Sequence, residues 1–374
     1  MKADASLDLQ AKKLIAALLL VLYSSGWVRG QTGEQEAERE FGVTPLIGLN
    51  KPDHIRPVSA QTPVGFEFRY SRLYTDQSSW EQCQCFYRSG FLLNAYTFRN
   101  PVALGKSVGA ALFFEPILVQ SARWGLSLRA LAGITYVSRQ YDPIYNPGSS
   151  AFGTALNGLI GASFITRYNI TPTWRLLVGL DYKHISNAGI RLPNQGLNIP
   201  ALSVGLVHHT GIVTRLPNLR QRPASTAYKR WMARALAFGS VKVMEATTAN
   251  PQQGYPIFGF DLLAGYHLTR THVLSGGLEW LDDRYFKEQI RRWTGRHESY
   301  QQGTLLAGYE FWQGHFVFTA HWGWNLIRPR SYQPDTYQKY GLLYRLTNGL
   351  TGGVAVKAYG ENTKNIHLLL GMTF

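Results

Sequence analysis

The chain carries few charged residues for its length. Asp, Glu, Lys and Arg make up 16% of its 374 residues, whereas 45% are hydrophobic and 13% are aromatic. A soluble domain usually has about 25% charged residues. Residues 31–374 also lack a continuous apolar run of about 18 residues, which excludes a protein built from membrane-spanning helices. This combination is typical of a transmembrane β-barrel.

Cysteine and the common enzyme signatures are scarce as well. Cys83 and Cys85 are the only cysteines, and two thiols without a histidine pattern beside them do not make a zinc site. The motifs H-E-x-x-H and G-x-S-x-G and the Gly-rich phosphate loops are absent. Their absence argues against the metalloproteases, α/β-hydrolases and nucleotide-binding proteins that those motifs mark.

The first 30 residues are typical of a secretory signal peptide. Lys12 and Lys13 precede an apolar segment over residues 14–23, and small residues ending at Gly30 give an acceptable cleavage site before Gln31. The apolar segment is too short to span a membrane, which takes roughly 20 residues. We therefore predict a secreted chain that begins near residue 31, with a retained N-terminal anchor as the alternative.

The excess of basic residues gives a formal net charge of +15. Such a surface suits an anionic partner. A secreted bacterial protein is not expected to meet nucleic acid, so phosphorylated lipid headgroups are the expected anions. The alternative is that the additional Lys and Arg residues only solvate the loops.

Apolar and polar residues alternate along many segments, as from His315 to Asn325, which predicts half-buried strands. We predict an all-β, antiparallel transmembrane β-barrel over residues 31–374 with about 14 strands (range 12–16) and a wet lumen. One barrel is favoured over two modules, with the basic segment 213–235 as the linker if the barrel is divided. A soluble two-sheet sandwich would alternate too, but would not place so many Trp and Tyr residues at strand ends.

The lengths of the connections give the strands an orientation. Short connections are expected near 169–173, 269–271, 313–314 and 348–349, and long ones near 140–154, 187–199, 284–300 and 326–337. Bacterial barrels have short periplasmic turns and long external loops. The last strand ends in Phe374 with apolar residues at every second position, which resembles the C-terminal signature of outer-membrane barrels. The segment 187–199 is therefore predicted to be external.

His184 and Ser186 are two residues apart at the end of a predicted strand, so their side chains leave the same face. Upstream that face carries Leu180 and Tyr182, so in a barrel it points to lipid. Ester hydrolysis needs a nucleophile, a base and donors to an oxyanion, which Ser186, His184 and Asn187 with the following backbone N–H groups can supply. The alternative for a bare H-x-S pattern is two interfacial polar residues that end a strand.

The wider motif runs from His184 to Ile190 and continues from Pro193 to Asn198. It resembles the signature of the lipid A deacylase (PagL) family, whose members are outer-membrane acyloxyacyl hydrolase-like barrels. The resemblance is specific over residues 174–205 and weaker, resting on strand rhythm, over about 43–212. It implies a serine carboxylic-ester hydrolase of the bacterial cell outer membrane. Such an enzyme removes an ester-linked acyl chain from lipid A in the outer leaflet and needs no metal or cofactor.

On this resemblance Ser186 corresponds to the nucleophile, His184 to the base and Asn187 to the oxyanion residue. The family's acid, a Glu after the Pro-Asn-x-Gly turn, corresponds to Asn198, which is a departure from the pattern. An amide cannot stabilise a developing imidazolium by charge, but it can fix the imidazole tautomer, as in Cys–His–Asn proteases. We therefore expect Asn198 to orient His184 and to support a lower rate.

Several alternatives stay open. The chain could be a non-catalytic barrel, either a channel or a structural relative, or an outer-membrane phospholipase that uses the same mechanism on glycerolipids. His208 and His209 lie on the next strand, where at most one of them could take part. The cations of the predicted loop 284–300 either hold the phosphates of lipid A or form a generally cationic loop: Arg284, Lys287, Arg291, Arg292 and Arg296.

Overall fold

The structure is a computed structural model of the 374-residue chain. It describes residues 38–49, 62–76, 79–80, 85–210, 229–248, 250–295, 299–329, 335–346, 348–359 and 362–374. The predicted signal peptide, Cys83, most of the basic segment 213–235 and Arg296 lie outside the described residues. Cys85 is disulfide-bonded. No helix in the described part is long and apolar enough to cross a membrane.

The first eight strands form a closed antiparallel barrel in which β1 pairs with both β2 and β8. They are β1 (Arg39–Gly48), β2 (Val64–Tyr74), β3 (Tyr87–Thr97), β4 (Lys106–Gln120), β5 (Trp124–Val137), β6 (Leu156–Asn169), β7 (Trp174–Ser186) and β8 (Leu197–Thr210). This barrel coincides closely with the segment 43–212 that carries the deacylase resemblance.

The next eight strands close on themselves in the same way, because β9 pairs with both β10 and β16. They are β9 (Trp231–Met244), β10 (Gln253–His267), β11 (His272–Asp283), β12 (Gln301–Gln313), β13 (Phe316–Ile327), β14 (Thr336–Arg345), β15 (Leu350–Tyr359) and β16 (Asn362–Thr373). A helix, α1 (Arg284–Thr294), follows β11. Asp283 caps its N-terminus by accepting a hydrogen bond from the backbone N–H of Phe286 at 2.8 Å.

The prediction of a single barrel is therefore wrong, whereas the total number of strands lies within the expected range of 12–16. The structure has sixteen strands in two closed barrels. Alternation within a strand reports which residues face inward, but not which strand closes the sheet. Closure depends on long-range pairings such as Arg39 with Thr210 and Leu368 with Gly239, which no local pattern contains. Arg234, which was expected in a linker, lies inside the second barrel.

The apolar face of each strand points outward, as predicted. On β7, Val178, Leu180 and Tyr182 are exposed, whereas Asp181 and Lys183 between them are buried inside the barrel. Exposed apolar side chains are costly in water and favourable in lipid. The alternation is therefore consistent with strands that cross a bilayer.

The interior of the first barrel is packed, so the predicted wet lumen is wrong for it. Glu115 accepts hydrogen bonds from Ser127 Oγ at 2.7 Å and from Arg129 at 2.7 and 2.9 Å, and forms an ion pair with Arg167. An eight-stranded barrel is only wide enough for its own side chains. Buried charges of this kind are tolerated when a partner of opposite sign lies beside them.

Towards the long-loop end, the same interior becomes apolar. Leu92, Leu159, Ile185 and other buried residues form one cluster, and loop residues Phe98 and Phe152 pack onto it. The strand ends at which the predicted catalytic residues lie are therefore supported from inside by a closed hydrophobic core. Such packing limits the freedom of the strand backbone.

The second barrel is filled by the same kind of network. Lys339 Nζ lies 2.6 Å from Glu279 and 2.7 Å from Asp261, and Lys357 Nζ lies 3.1 Å from Glu279. Arg234 forms a two-bonded pair with Glu310 at 2.9 and 3.0 Å. Both barrels are thus stabilised by internal ion pairs as well as by apolar packing.

The connections that were predicted to be short or long are so, but the connection 75–86 is long at the short-turn end and the connection 360–361 is short at the other end. Short turns follow β4, β6, β10, β12 and β14, while longer connections follow β5, β7 and β11. Aromatic pairs mark the short-turn ends, such as Trp124 with Tyr168 at 4.6 Å and Trp231 with Tyr266 at 5.0 Å between ring centroids. Aromatic girdles of this kind lie at the membrane–water interface. In each barrel the long loops therefore mark the external end.

Candidate active site

Strand β7 carries His184 and Ser186 on its outward face at the long-loop end of the first barrel. His184 pairs with Ile160 of β6 and Asn198 of β8, so it lies in the middle of a three-stranded surface. Its side chain is half-buried, and Ser186 is 9% exposed. The structure thus places both residues on one outward face at the long-loop end of the barrel, as predicted.

Asn198 is the partner of His184. The register of β7 and β8 places the two residues directly opposite each other, and His184 Nδ1 lies 2.6 Å from Asn198 Oδ1. An amide oxygen can only accept, so Nδ1 carries the proton and Nε2 keeps its lone pair. That tautomer is the one a general base on Nε2 requires.

Gly196 packs against both residues from the loop side. Its φ is +69°, and a Cβ at this position would lie 2.9 Å from His184 Cε1 and 3.2 Å from Ser186 Cβ. A contact of 2.9 Å to a carbon is shorter than real Cβ atoms make, so only glycine fits without a shift. The imidazole and the serine therefore lie on either side of one glycine.

Asn187 shapes the turn that follows the strand. Its Oδ1 accepts from Gly189 N–H at 3.0 Å, and its Nδ2 donates to the Arg191 carbonyl at 2.8 Å. Ala188 and Gly189 both have positive φ, 57° and 82°, and Ile190 N–H closes the turn on the Asn187 carbonyl at 3.2 Å. One of the two amide N–H groups of Asn187 is thus used in the turn, and the other is left for the oxyanion that the sequence analysis predicted.

Asn194 is a residue that the sequence reasoning did not assign. Its Oδ1 accepts from the backbone N–H of Asn187 at 3.0 Å, which directs its own amide N–H groups away from that contact. The signal was present in the Pro-Asn-x-Gly turn, but spacing alone does not show that the loop folds back onto Asn187. Two amide side chains therefore flank the turn after Ser186.

Two hydrogen-bonded contacts hold the loop over the site. Ser150 Oγ donates to Gln195 Oε1 at 2.8 Å, and the backbone N–H of Gly196 donates to the Ala151 carbonyl at 3.1 Å. Residues 150–151 belong to the long connection between β5 and β6. The position of Gly196 against His184 is thus set by a second loop.

Ser186 Oγ and the His184 ring are neighbours but are not hydrogen-bonded to each other. Nδ1 is occupied by Asn198, which leaves Nε2 as the nitrogen for the serine. Catalytic hydrogen bonds are often long in free enzymes and tighten when substrate binds. The two side chains thus share one face of β7 without a hydrogen bond between them.

Two family models match the chain. The model described as lipid A 3-O-deacylase (PagL) matches residues 63–207, and the model described as the acyloxyacyl hydrolase C-terminal domain matches residues 231–374. The chain belongs to the lipid A deacylase (PagL) family. Membership identifies it as an acyl hydrolase of the bacterial outer membrane, and the two matches correspond to its two barrels.

No curated protein matches the chain by sequence. Solved structures that resemble it include the alcaligin outer-membrane receptor FauA of Bordetella pertussis, with 10% identity, a TM-score of 0.24 and coverage of 92% of this chain and 77% of that one. A variant Rh. blastica porin has 12% identity, a TM-score of 0.17 and coverage of 90% and 98%. A variant of TodX, a monoaromatic hydrocarbon channel, has 7% identity and a TM-score of 0.19, with coverage of 91% of this chain and 90% of that one. TM-scores this low carry no argument.

The other histidines of the first barrel lie away from the family motif. His208 pairs with Trp174 at the short-turn end, with ring centroids 4.9 Å apart, and His209 is buried inside the barrel. Neither can reach Ser186, which lies at the opposite end of β7. The interpretation of these two histidines as packing residues fits their positions.

The second barrel of this PagL-family chain contains a buried Ser–His contact. Ser275 Oγ lies 2.8 Å from His321 Nε2, and Glu310 approaches the same nitrogen at 3.8 Å. A catalytic triad needs its acid on the other ring nitrogen, and both residues are enclosed in the barrel. This contact is therefore part of the interior network. In the described part of the chain, no cluster of three His, Cys, Asp or Glu residues is arranged to hold a metal ion.

Two of the cations on helix α1 are already paired. Glu288 accepts from Arg291 at 2.5 and 2.7 Å and from Arg292 at 2.8 Å. The hydrogen bonds from Arg291 and Arg292 lower the pKa of Glu288 to about 2. Since Glu288 stays ionised at physiological pH, and Arg284 lies 3.5 Å from Asp282, Lys287 is the described cation of this helix without a carboxylate partner.

Proposed function

We propose that the protein removes an ester-linked acyl chain from lipid A in the outer leaflet, as a serine carboxylic-ester hydrolase. Ser186 is the nucleophile, His184 the general base and acid, and Asn198 the residue that orients His184. The observation that carries the proposal is the 2.6 Å contact from His184 Nδ1 to Asn198 Oδ1, with Ser186 on the same lipid-facing surface.

The proposed reaction has two half-steps. Ser186 Oγ attacks the ester carbonyl while His184 Nε2 takes its proton, and a tetrahedral oxyanion forms. The intermediate collapses by breaking the bond to the sugar oxygen, which leaves with the proton from His184. Water then attacks the acyl–Ser186 ester, gives its proton to His184, and the fatty acid leaves as Ser186 regains its hydrogen.

The oxyanion donors come from the turn after Ser186. Asn187 has one amide N–H beyond the one that holds Arg191, and Asn194 has its amide oriented by the Asn187 backbone. Donors that are fixed before reaction stabilise developing charge without reorganisation. Gly189 N–H, which the sequence also suggested, is committed to Asn187 Oδ1 and does not serve.

The surroundings of the site favour a lipid substrate. Ile160 and Tyr182, which flank His184 on the outer face, are 47% and 49% exposed and so present an apolar surface to acyl chains. A water-soluble ester would have to enter the bilayer to reach this surface. A lipid arrives by lateral diffusion, with its ester at the depth where strands end and loops begin.

The proposal is tested by measuring the mass of lipid A from cells that express the protein. The full chain and its Ser186→Ala and His184→Gln variants are expressed in a bacterium with an outer membrane, and lipid A is weighed by mass spectrometry. Loss of one hydroxyacyl mass is expected with the wild type alone. Ser89→Ala is the matched control. Ser89 lies on the outward face of β3, at the end of the barrel opposite Ser186. Unchanged lipid A with released lysophospholipid would instead support the phospholipase, and no change in any lipid would refute hydrolysis.

A further inference from the structure

The second barrel has a cavity of about 550 Å³ at its short-turn end. It lies among the start of β9 and the turns after β10, β12 and β14, with Trp231 and Phe374 at its rim. Small-molecule sites usually measure about 300–1,000 Å³. The cavity is thus large enough for a small ligand or a lipid headgroup, and the ester hydrolysis proposed above does not use it.

The lining carries an excess of positive charge. Lys229, Arg270 and Arg345 contribute side chains, together with His267 and His315, whereas the cavity has no Asp or Glu among its lining residues. In the described part of the chain, none of these three cations forms an ion pair with a carboxylate. A cavity of this composition favours an anion.

Arg345 is the central cation. Its guanidinium carbon lies 4.2 Å from the ring centroid of Trp312, and its Nε is buried without a hydrogen-bond partner among the described residues. A buried donor left without a partner is costly. Arg345 also lines the cavity, where a planar guanidinium can bind an acceptor with two parallel hydrogen bonds. The geometry therefore suits an acceptor with two oxygens.

The nearby carboxylate does not neutralise Arg345. Glu310 is held by both nitrogens of the Arg234 fork at 2.9 and 3.0 Å and accepts from Trp312 Nε1 at 2.8 Å. Arg234 also lies by the Trp312 ring, at 5.6 Å from its centroid. Two guanidinium groups thus lie by one indole and only Arg234 pairs with Glu310, which leaves the charge of Arg345 on the cavity side.

We propose that this cavity binds a phosphate-bearing ligand, with the phosphate held by Arg345 and Arg270. Arginine forms two parallel hydrogen bonds to a phosphate, which supplies the partner that Arg345 lacks. Short turns face the periplasm in bacterial outer-membrane barrels, so the ligand is either the headgroup of an anionic phospholipid from the inner leaflet or a soluble phosphate. The aromatic rim of Trp231 and Phe374 suits acyl chains that extend into the bilayer.

The experiment measures binding to the full chain in a non-ionic detergent by calorimetry. The probes are inorganic phosphate and short-chain phosphatidylglycerol, and the variants are Arg345→Gln, Arg345→Lys and Arg270→Gln. We expect Arg345→Gln and Arg270→Gln each to weaken phosphatidylglycerol binding at least tenfold, and Arg345→Lys to restore part of the loss. Arg328→Gln is the matched control, because Arg328 pairs with Asp335 at the other end of the same barrel. A heat-modifiable band on gels confirms that each variant is folded.

The two probes separate the sources of the phosphate. Tight binding of phosphatidylglycerol with weak binding of inorganic phosphate supports a lipid headgroup as the ligand. Comparable affinity for both probes supports a soluble phosphate ligand. Equal phosphatidylglycerol affinity in the wild type, Arg345→Gln, Arg270→Gln and Arg328→Gln would overturn the proposal. Failure of ester hydrolysis would not affect this result, because none of these residues belongs to the Ser186 site.

Discussion

At the scale of single residues, the candidate site depends on the amide of Asn198. Its oxygen holds the Nδ1 proton of His184 and so presents Nε2 to Ser186. A carboxylate would do this as well and would also stabilise the imidazolium that forms during attack. An amide leaves that charge without a counterion, which predicts a slower enzyme than a relative with Glu in this position.

Replacing Asn198 tests this reasoning in two directions. Asn198→Ala removes the group that orients the ring and should lower kcat about 10- to 100-fold, whereas Asn198→Glu should raise it, because a negative charge stabilises imidazolium. The measurement is kcat and KM on purified lipid A in mixed micelles. Ala122→Glu adds a carboxylate in an exposed turn at the opposite end of the barrel, far from His184, and should leave kcat unchanged. A fall in kcat with Asn198→Glu would contradict the proposed role.

Gly196 offers a second test at the same scale. Gly196→Ala places a Cβ 2.9 Å from His184 Cε1, so the ring must shift and kcat should fall at least tenfold. Gly189→Ala is the control, because Gly189 also has a positive φ but nothing lies within 4 Å of the added Cβ. Both variants strain the backbone by about 1 kcal/mol, so a difference between them isolates the contact with His184. Equal kcat in the two variants would show that Gly196 does not position the ring.

At the scale of elements, the turn over residues 187–190 combines function with strain. Ala188 has a φ of 57°, which costs a residue with a side chain roughly 1–2 kcal/mol. Paired positive φ values define a type I′ turn, for which Asn-Gly is the preferred central pair. The conformation brings Asn187 and Asn194 together after Ser186, and loop 150–151 secures its far side.

Ala188→Asn should therefore stabilise the first barrel by about 0.5–1 kcal/mol, since Asn tolerates this conformation better than Ala. The side chain at position 188 is exposed, so no contact is lost. Urea unfolding in lipid vesicles measures the free energy of unfolding. Ala122→Asn, in an exposed turn at the opposite end of the barrel, should have no such effect. A destabilised Ala188→Asn barrel would rule out relief of strain.

At the scale of the whole molecule, each barrel closes on itself and contains its own network of buried charge. Glu115 is the centre of the network in the first barrel and Glu279 in the second. Removing one partner of a buried ion pair costs about 3–5 kcal/mol, because the remaining charge has no compensation. The cost should remain within the barrel that loses the charge.

Glu115→Gln and Glu279→Gln serve as controls for each other. Hydrogen exchange followed by mass spectrometry should show lost protection over residues 39–210 for Glu115→Gln and over residues 231–374 for Glu279→Gln. The lost protection should correspond to a decrease of about 3–5 kcal/mol in the free energy of unfolding of that barrel, the cost of breaking a buried ion pair. Lost protection across both ranges from either variant would mean that the barrels unfold together.

Much of the site was predictable because it is local. His184 and Ser186 share a face by strand geometry, and their position at an external strand end followed from the lengths of the connections. The role of Asn194 was not predictable from spacing. Its contact with Asn187 requires the loop to fold back, which depends on where loop 150–151 lies.

The amino-acid sequence by itself determined the outward apolar face of each strand, the orientation of the strands and the shared face of His184 and Ser186, because these follow from a period of two and from turn lengths. Only the tertiary structure decided the number of barrels and their filled interiors. Those features depend on which distant strands form hydrogen bonds, and the sequence pattern of a strand is the same whichever neighbour it takes.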